Sequence, residues 1–152
     1  MTLPDFLDLQ GVSYRLSQHR TAYTSQDLAA AEHVSGRKVV KPVVVEADGR
    51  FVLCALPASR KVDLPILRQT LNAADVQMVE ERTLNRLFPG CDLGAEPPIG
   101  NMYGLPTLLD ESLIGADDVT FQAGTHEDSV TIRFADYRRV SNPRVESFSK
   151  PA

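Results

Sequence analysis

A lysine inside an otherwise apolar β-hairpin is the feature that most constrains this chain. The segment 39–57 reads VVKPVVVEADGRFVLCALP, in which Asp48-Gly49 is a favoured two-residue hairpin turn. The β-branched and apolar residues on both sides of the turn predict two paired strands. Lys41 is therefore predicted to lie on a central strand. Such a lysine either lays its stem over apolar neighbours to reach water or occupies a position that function requires.

Composition indicates an ordinary globular domain spanning 1–152. Hydrophobic residues make up 43% of the 152 residues, which is enough to form a core without disulfides or a structural metal. The sequence has neither a run of about 18 apolar residues nor a signal-like opening segment, so we expect a cytoplasmic protein with no membrane partner. Cys54 and Cys91 belong to no CxxC or Cys/His cluster, which predicts free thiols and no zinc site.

The formal net charge of −4 argues against broad coating of nucleic acid, because such binding needs many lysine and arginine contacts with phosphates. Local basic clusters remain possible sites of contact. They are Arg37, Lys38 and Lys41; Arg60 and Lys61; and Arg138, Arg139 and Arg144. Taken singly, each cluster suits a solvated face as well as a binding surface.

Helix and strand signals alternate along the chain. Helices are predicted at 3–9, 28–34, 63–72 and 81–88 with a last turn at 135–140, and strands at 14–19, 39–47, 51–56, 76–79, 107–109, 119–123 and 130–134. At least two neighbouring strand pairs have connections short enough to force antiparallel pairing. The predicted class is α/β mixed in the α+β sense: a single domain with a curved, largely antiparallel mixed central sheet flanked by helices.

The segment 90–106, GCDLGAEPPIGNMYGLP, holds four glycines and three prolines and matches no regular element. So long a connection in a compact domain is usually functional or disordered, and its apolar residues argue against disorder. Glycines such as Gly94 and Gly100 let backbone N–H groups approach a ligand, while Pro97 and Pro98 hold one loop shape. The loop could present amide donors to a carbonyl or a water, or it could be a rigid surface turn.

Three other residues are candidates for a site. His126, in AGTHEDSV between two strands, is either a solvent-exposed turn residue or a pocket residue. His19 and Thr24 flank a strand-to-helix junction, where capping is the simpler role. The sequence contains no GxSxG, GxGxxG or GxxxxGK[ST] motif. A protein nucleophile and nucleoside-triphosphate chemistry are therefore not indicated.

Taken together and in order, these segments resemble the YbaK/ProX family of aminoacyl-tRNA deacylases. The family includes the editing domain inserted in bacterial prolyl-tRNA synthetases. The resemblance runs from about Tyr14 to Asp136. It depends on the lysine after the alanine-rich helix, Lys41, on the GxxxP motif at 94–98, and on a histidine after a glycine near the end of the sheet, His126.

The resemblance implies a mixed α/β domain with a strongly curved sheet, which hydrolyses the ester between a wrongly attached amino acid and the terminal adenosine of tRNA. Lys41 would contact the substrate near the terminal phosphate and the scissile ester. The GxxxP backbone, from Gly94 to Pro98, would position the aminoacyl group and the attacking water, and His126 would line the amino-acid pocket. Further substrate-binding candidates are His19, Thr24, Glu96 and Gly100. Neither a protein nucleophile nor a metal or organic cofactor is expected.

The chain departs from the family pattern at two positions. Pro42 follows the lysine where many relatives have a small hydroxyl residue, and it removes a backbone N–H and restricts Lys41 to extended conformations. Glu96 puts an acid into the GxxxP loop. Facing the pocket it would bind a substrate ammonium, whereas facing outward it would oppose RNA phosphate. The sequence leaves both orientations open.

We therefore expect a free-standing, monomeric trans-editing deacylase that binds the acceptor end of a mischarged tRNA, with an aminoacyl-tRNA synthetase as a further partner to consider. Arg37, Lys38 and Lys41, and part of the 138–144 cluster, would contact a few phosphates. The alternative is a non-catalytic module that binds an aminoacyl-adenosine, a nucleotide or the tRNA end. The edited amino acid depends on side chains gathered from several elements, which the sequence alone does not identify.

Overall fold

Helices and strands alternate along the whole chain in the computed structural model, which describes residues 1–152. In chain order they are α1 (Leu3–Leu9), β1 (Arg15–Gln18), α2 (Ser25–Ala31), β2 (Val40–Ala47), β3 (Arg50–Pro57), β4 (Arg60–Val62), α3 (Leu64–Thr70), β5 (Val76–Met78), α4 (Glu81–Leu87), β6 (Thr107–Asp110), β7 (Asp118–Gln122), β8 (Asp128–Arg133), α5 (Phe134–Ser141), β9 (Arg144–Glu146) and β10 (Ser149–Pro151). Two short 3-10 helices, Gly100–Tyr103 and Glu111–Leu113, flank β6.

Side-chain caps set the starts of three helices. Thr2, Thr24 and Asp63 each accept a hydrogen bond from the backbone N–H three residues later, which satisfies a donor that the first helical turn leaves unpaired. The predicted capping role of Thr24 is confirmed. The helix it caps begins at once, at residue 25, and ends earlier than predicted, because His33 adopts a left-handed φ of 56°.

The lysine-bearing hairpin is present as predicted. Asp48 and Gly49 have φ values of 49° and 84°, the left-handed pair that a type I′ turn requires. β2 and β3 pair from Ala47↔Arg50 to Val40↔Pro57. Because the five-stranded sheet has the order β5-β2-β3-β6-β9, β2 has a neighbour on each side and Lys41 lies on an interior strand.

The sheets are mixed and largely antiparallel, which confirms the predicted class. β3–β6 and β6–β9 pair in parallel, whereas the other five strand pairs are antiparallel. A second sheet of order β1-β8-β7 joins the first where Val39 forms a parallel bridge with Thr120, and β4 pairs with β10. Helices then cover buried faces: α3 contributes Leu67 to one apolar cluster, and α2 contributes Leu28 to another.

One edge of β2 is open between its two neighbours. β5 pairs only with residues 45–47 of β2, and β7 meets the start of the strand only at Val39. Ala58 N–H donates to the carbonyl of Val39 at 2.8 Å. The backbone N–H and C=O groups of odd-numbered β2 residues therefore bond to β3, and those of even-numbered residues point to the open edge. Pro42 lies at this edge, where its missing N–H breaks no β2–β3 bond.

Three short strands were absent from the sequence-based prediction. β4, β9 and β10 contain three residues each, with the sequences RKV, RVE and SKP. Such segments carry no apolar alternation, and only tertiary contacts order them. One of those contacts is a buried carboxylate, Asp110, at the end of β6.

Asp110 holds the C-terminal segment against the sheet. Its carboxylate accepts hydrogen bonds from Phe148 N–H at 3.0 Å and Ser149 Oγ at 2.8 Å, and from Ser112 N–H and Oγ. Burial alone would raise the pKa of Asp110, but these hydrogen bonds outweigh it and lower the pKa. The ionised carboxylate therefore stabilises the folded state.

We expect Asp110→Asn to lower the free energy of unfolding at pH 7 by about 1–3 kcal/mol, because an amide cannot accept all of these bonds. The pKa of Asp110 is lower in the folded state than in the unfolded state. Its ionised carboxylate therefore stabilises the fold fully at pH values above the unfolded-state pKa, and this stabilisation is lost as the pH falls through the folded-state pKa. Urea unfolding should therefore show a difference between the two proteins that narrows on acidification. Asp118→Asn, at an exposed position, is the control. A difference unchanged at low pH would contradict this role.

Candidate active site around the GxxxP loop

The GxxxP loop is built into the core, and is not a surface turn. Residues 95–100 are buried. Gly124 N–H donates to Ala95 O at 2.9 Å, the Tyr137 hydroxyl donates to Pro98 O at 2.6 Å, and Gly100 N–H donates to the Thr107 hydroxyl at 3.0 Å. Anchors on both flanks give the loop one shape, as a preorganised set of backbone groups requires.

Two glycines of the loop are required by close approach. Gly94 has a φ of +89°, and a Cβ added there would lie 2.8 Å from the carbonyl oxygen of Tyr23. A Cβ at Gly100 would overlap the carbonyl oxygen of Leu105 and the hydroxyl of Thr107. Any larger residue at either position would displace the loop from the segments that it packs against.

Lys41 is half-buried at the start of β2 and has no carboxylate within salt-bridge distance. Burial lowers the pKa of its ammonium. The next residue, Pro42, lines a cavity together with Glu96 of the GxxxP loop. The loop therefore reaches the lysine-bearing strand at the open edge of β2, and the ammonium of Lys41 has no acidic partner within the protein.

Glu96 faces inward. It is only 5% exposed, and its Oε2 atom has no hydrogen-bond partner. Its cavity has a volume of about 120 Å³, and the other lining residues are Pro42, Val43, Val44, Met78, Val79 and Leu84. Burial raises the pKa of Glu96, opposed by backbone N–H groups of the loop and by His126. Of the two orientations left open by the sequence, the structure has the one that avoids RNA phosphate.

His126 packs against the mouth of the loop. Its Nε2 lies 2.6 Å from Leu93 O, and its backbone N–H donates to Asp92 Oδ2 at 3.2 Å. Its ring meets the edge of Tyr23 at a centroid distance of 4.8 Å. Sequence reasoning missed Tyr23 and Asp92. The only sequence signal for Tyr23 was its place directly before a helix cap. In the structure Tyr23 is 64% exposed.

The structure assigns His19 and Thr24 different surroundings. The Thr24 hydroxyl accepts from Asp27 N–H at 3.0 Å, so the cap occupies it. His19 N–H donates to Glu127 O at 2.9 Å, beside His126, and its Nδ1 lies 2.6 Å from Arg20 O. Its Nε2 is buried without a partner. A role for either residue in substrate binding stays a prediction.

Neither cysteine is placed as an activated nucleophile. Burial raises the pKa of Cys54 to about 12. Burial also raises the pKa of Cys91, whose sulfur lies 3.4 Å from the Tyr103 hydroxyl. A thiol held protonated is a poor nucleophile. No group of three or more His, Cys, Asp or Glu side chains is arranged to hold a metal ion. What the site offers is a free ammonium, a fixed loop backbone and a buried carboxylate.

Comparison with known proteins identifies the family of this chain. Residues 19–140 match the family described as the aminoacyl-tRNA editing domain. The multifunctional Ser/Thr-tRNA deacylase ProXp-y of Escherichia coli strain K12 is 24% identical over 151 residues, which cover 96% of this chain and 90% of that protein.

Solved structures show the same fold. The crystal structure of a hypothetical protein has a TM-score of 0.87 at 17% identity, covering 97% of this chain and 99% of that one. That of a candidate trans-editing enzyme for prolyl tRNA synthetase has a TM-score of 0.84 at 18% identity, covering 97% and 94%.

This chain belongs to the aminoacyl-tRNA editing domain family, because the family match spans most of its length. The predicted family and fold are confirmed. The match also favours an editing ester hydrolase over the non-catalytic binding module. No helix of the structure is long and apolar enough to cross a membrane.

The close approach of Gly94 to Tyr23 predicts a loop-specific loss of function. Gly94→Ala would meet the Tyr23 carbonyl, whereas Gly90→Ala has a similar φ of +84° and no atom within 4 Å of the added Cβ. Both variants should lose about 1 kcal/mol of stability from the strained φ, and Gly94→Ala should lose more because of its overlap with Tyr23. Only Gly94→Ala should also lower ester hydrolysis of mischarged tRNA, by at least about tenfold, as expected for a displaced reacting group. Equal activities in the two variants would contradict the assigned role of the loop.

Proposed function

We propose that this protein is an editing deacylase that hydrolyses the ester of tRNA mischarged with a small amino acid. The observation that supports the proposal is that the GxxxP loop and the lysine-bearing strand β2 line one cavity, through Glu96 and Pro42. The half-buried ammonium has no acidic partner within the protein. An anion of the substrate can therefore supply that partner.

The proposed mechanism uses a placed water and no covalent intermediate. Protonated Lys41 holds the terminal phosphate and keeps the ester against the loop. Backbone N–H groups of the loop stabilise the oxyanion that forms when the water oxygen attacks the ester carbonyl. The bond between that carbonyl carbon and the ribose oxygen then breaks, and the ribose oxygen takes up the proton that the attacking water gives up. The products are the free amino acid and uncharged tRNA.

The size of the cavity beside Glu96 supports a small aminoacyl group. Its volume is about 120 Å³. The E. coli relative carries serine and threonine in its name. Alanyl, seryl and threonyl esters are therefore the first substrates to test, and bulky aromatic esters should be poor substrates.

Lys41→Ala should lower the rate of ester hydrolysis by about 10²- to 10³-fold, the loss typical of removing one preorganised electrostatic contact. The measurement is release of labelled alanine, serine or threonine from mischarged tRNA, with the buffer rate subtracted. Lys41→Arg keeps a charge but changes its geometry, so partial activity is expected.

Unchanged thermal unfolding of Lys41→Ala would show that its loss of activity is not a folding defect. A fully active Lys41→Ala variant would remove the lysine from the mechanism. Tight binding of a non-hydrolysable aminoacyl-adenosine without any ester cleavage by the unmodified protein would instead support a binding module.

The structure separates the basic clusters by their partners. Arg139 lies 3.6 Å from Asp136, and Arg144 lies 2.7 Å from Glu146. Arg37 and Lys38 are exposed, have no acidic partner, and lead directly into β2. Because neutralised arginines attract phosphate less, the turn at residues 36–38 is the better candidate for holding the tRNA end.

Binding to an acceptor-stem minihelix should depend only weakly on salt. With a few phosphates contacted, the slope of log affinity against log salt should be about −1.5 to −3. Removing both Arg37 and Lys38 should make that slope shallower, whereas removing both Arg139 and Arg144 should leave it unchanged. A much steeper slope, or equal binding of an unrelated duplex RNA, would contradict a contact confined to the acceptor end.

A further inference from the structure

A buried glutamate with an unpaired carboxylate oxygen lines an apolar cavity of this protein. Glu96 is 5% exposed, and its Oε2 has no hydrogen-bond partner. The cavity walls are otherwise aliphatic, from β2, β5 and α4. Leaving a buried acceptor unpaired is costly, and natural proteins rarely do so without a functional reason. A ligand that brings a donor into this cavity would satisfy the carboxylate.

The chemistry of the cavity selects the donor. A buried carboxylate is best stabilised by a cation that also donates hydrogen bonds. No lysine or arginine side chain lines the cavity. The α-ammonium is the cationic donor that every aminoacyl ester carries, next to the scissile carbonyl. An ammonium held by Glu96 would leave that carbonyl near the loop backbone.

We propose that Glu96 binds the α-ammonium of the aminoacyl group and makes this enzyme selective for esters with a free amino group. This inference rests on the proposed function, and it adds a specificity-determining residue to it. Burial raises the pKa of the Glu96 carboxyl, and a bound ammonium would lower that pKa again. The aliphatic walls then contact the small side chain of the substrate.

The test compares two nearly isosteric substrates on each protein. Alanyl-tRNA carries the ammonium, and lactyl-tRNA replaces it by a neutral hydroxyl. Each kcat/KM is divided by the rate of the same ester in buffer, since the two esters differ in intrinsic lability. The unmodified protein should prefer the alanyl ester by about 10- to 100-fold, the range of a hydrogen bond to a charged group. In Glu96→Gln the preference should fall to less than about threefold.

Glu80→Gln is the matched control. It removes the same charge from an exposed position next to Val79, which lines the cavity, so it reports any long-range effect of charge. Its preference should equal that of the unmodified protein. A preference equally large in Glu96→Gln and the unmodified protein would overturn the inference, and so would the absence of any preference in the unmodified protein.

A binding measurement separates this inference from the proposed function. Adenosines that carry alanine or lactic acid through a non-hydrolysable 3′-amide are titrated against the same three proteins. If neither ester is cleaved, the proposed deacylase activity fails, yet the alanyl analogue should still bind at least about tenfold more tightly than the lactyl one and lose this advantage in Glu96→Gln. Equal binding of both analogues to the unmodified protein would overturn the ammonium site whether or not the esters are cleaved.

Discussion

The open edge of β2 is the constraint on which the rest of the site depends. A strand inside a sheet normally pairs along its whole length on both sides. Here the pairing of β2 with β5 ends at Val45 of β2, and β7 contacts the chain only at Val39, just before β2. The GxxxP loop approaches this stretch, held from outside by Tyr137, Thr107 and Gly124. The fold therefore provides a polar strand edge next to an apolar cavity.

Much of this arrangement follows from local sequence signals. The hairpin was predictable because Asp48-Gly49 supplies the left-handed pair that its turn needs, and Thr24 and Asp63 marked helix starts through their side-chain acceptors. Strands β4, β9 and β10 were not predictable. Their few polar residues are ordered by distant partners such as Asp110, and no pattern within three residues records such a contact.

The candidate site divides in the same way. Lys41 stood out because a charge interrupted an apolar strand, and the loop stood out by composition. The orientation of Glu96 was left open, because it depends on how the loop packs on β2. Tyr23 was missed, because an exposed aromatic before a cap has no distinctive spacing. The sequence did not show how the strand tolerates Pro42. The strand register explains it, because it places Pro42 where no neighbouring strand needs its N–H.

The most direct test of the open edge as the active site is a crystal structure of this protein with the non-hydrolysable 3′-alanylamide of adenosine 5′-phosphate. The ligand should bind between β2 and the GxxxP loop, with its ammonium within hydrogen-bond distance of Glu96 and its phosphate within ion-pair distance of Lys41. A ligand ordered elsewhere, with the cavity beside Pro42 unchanged, would contradict the assignment of this edge as the site of ester hydrolysis.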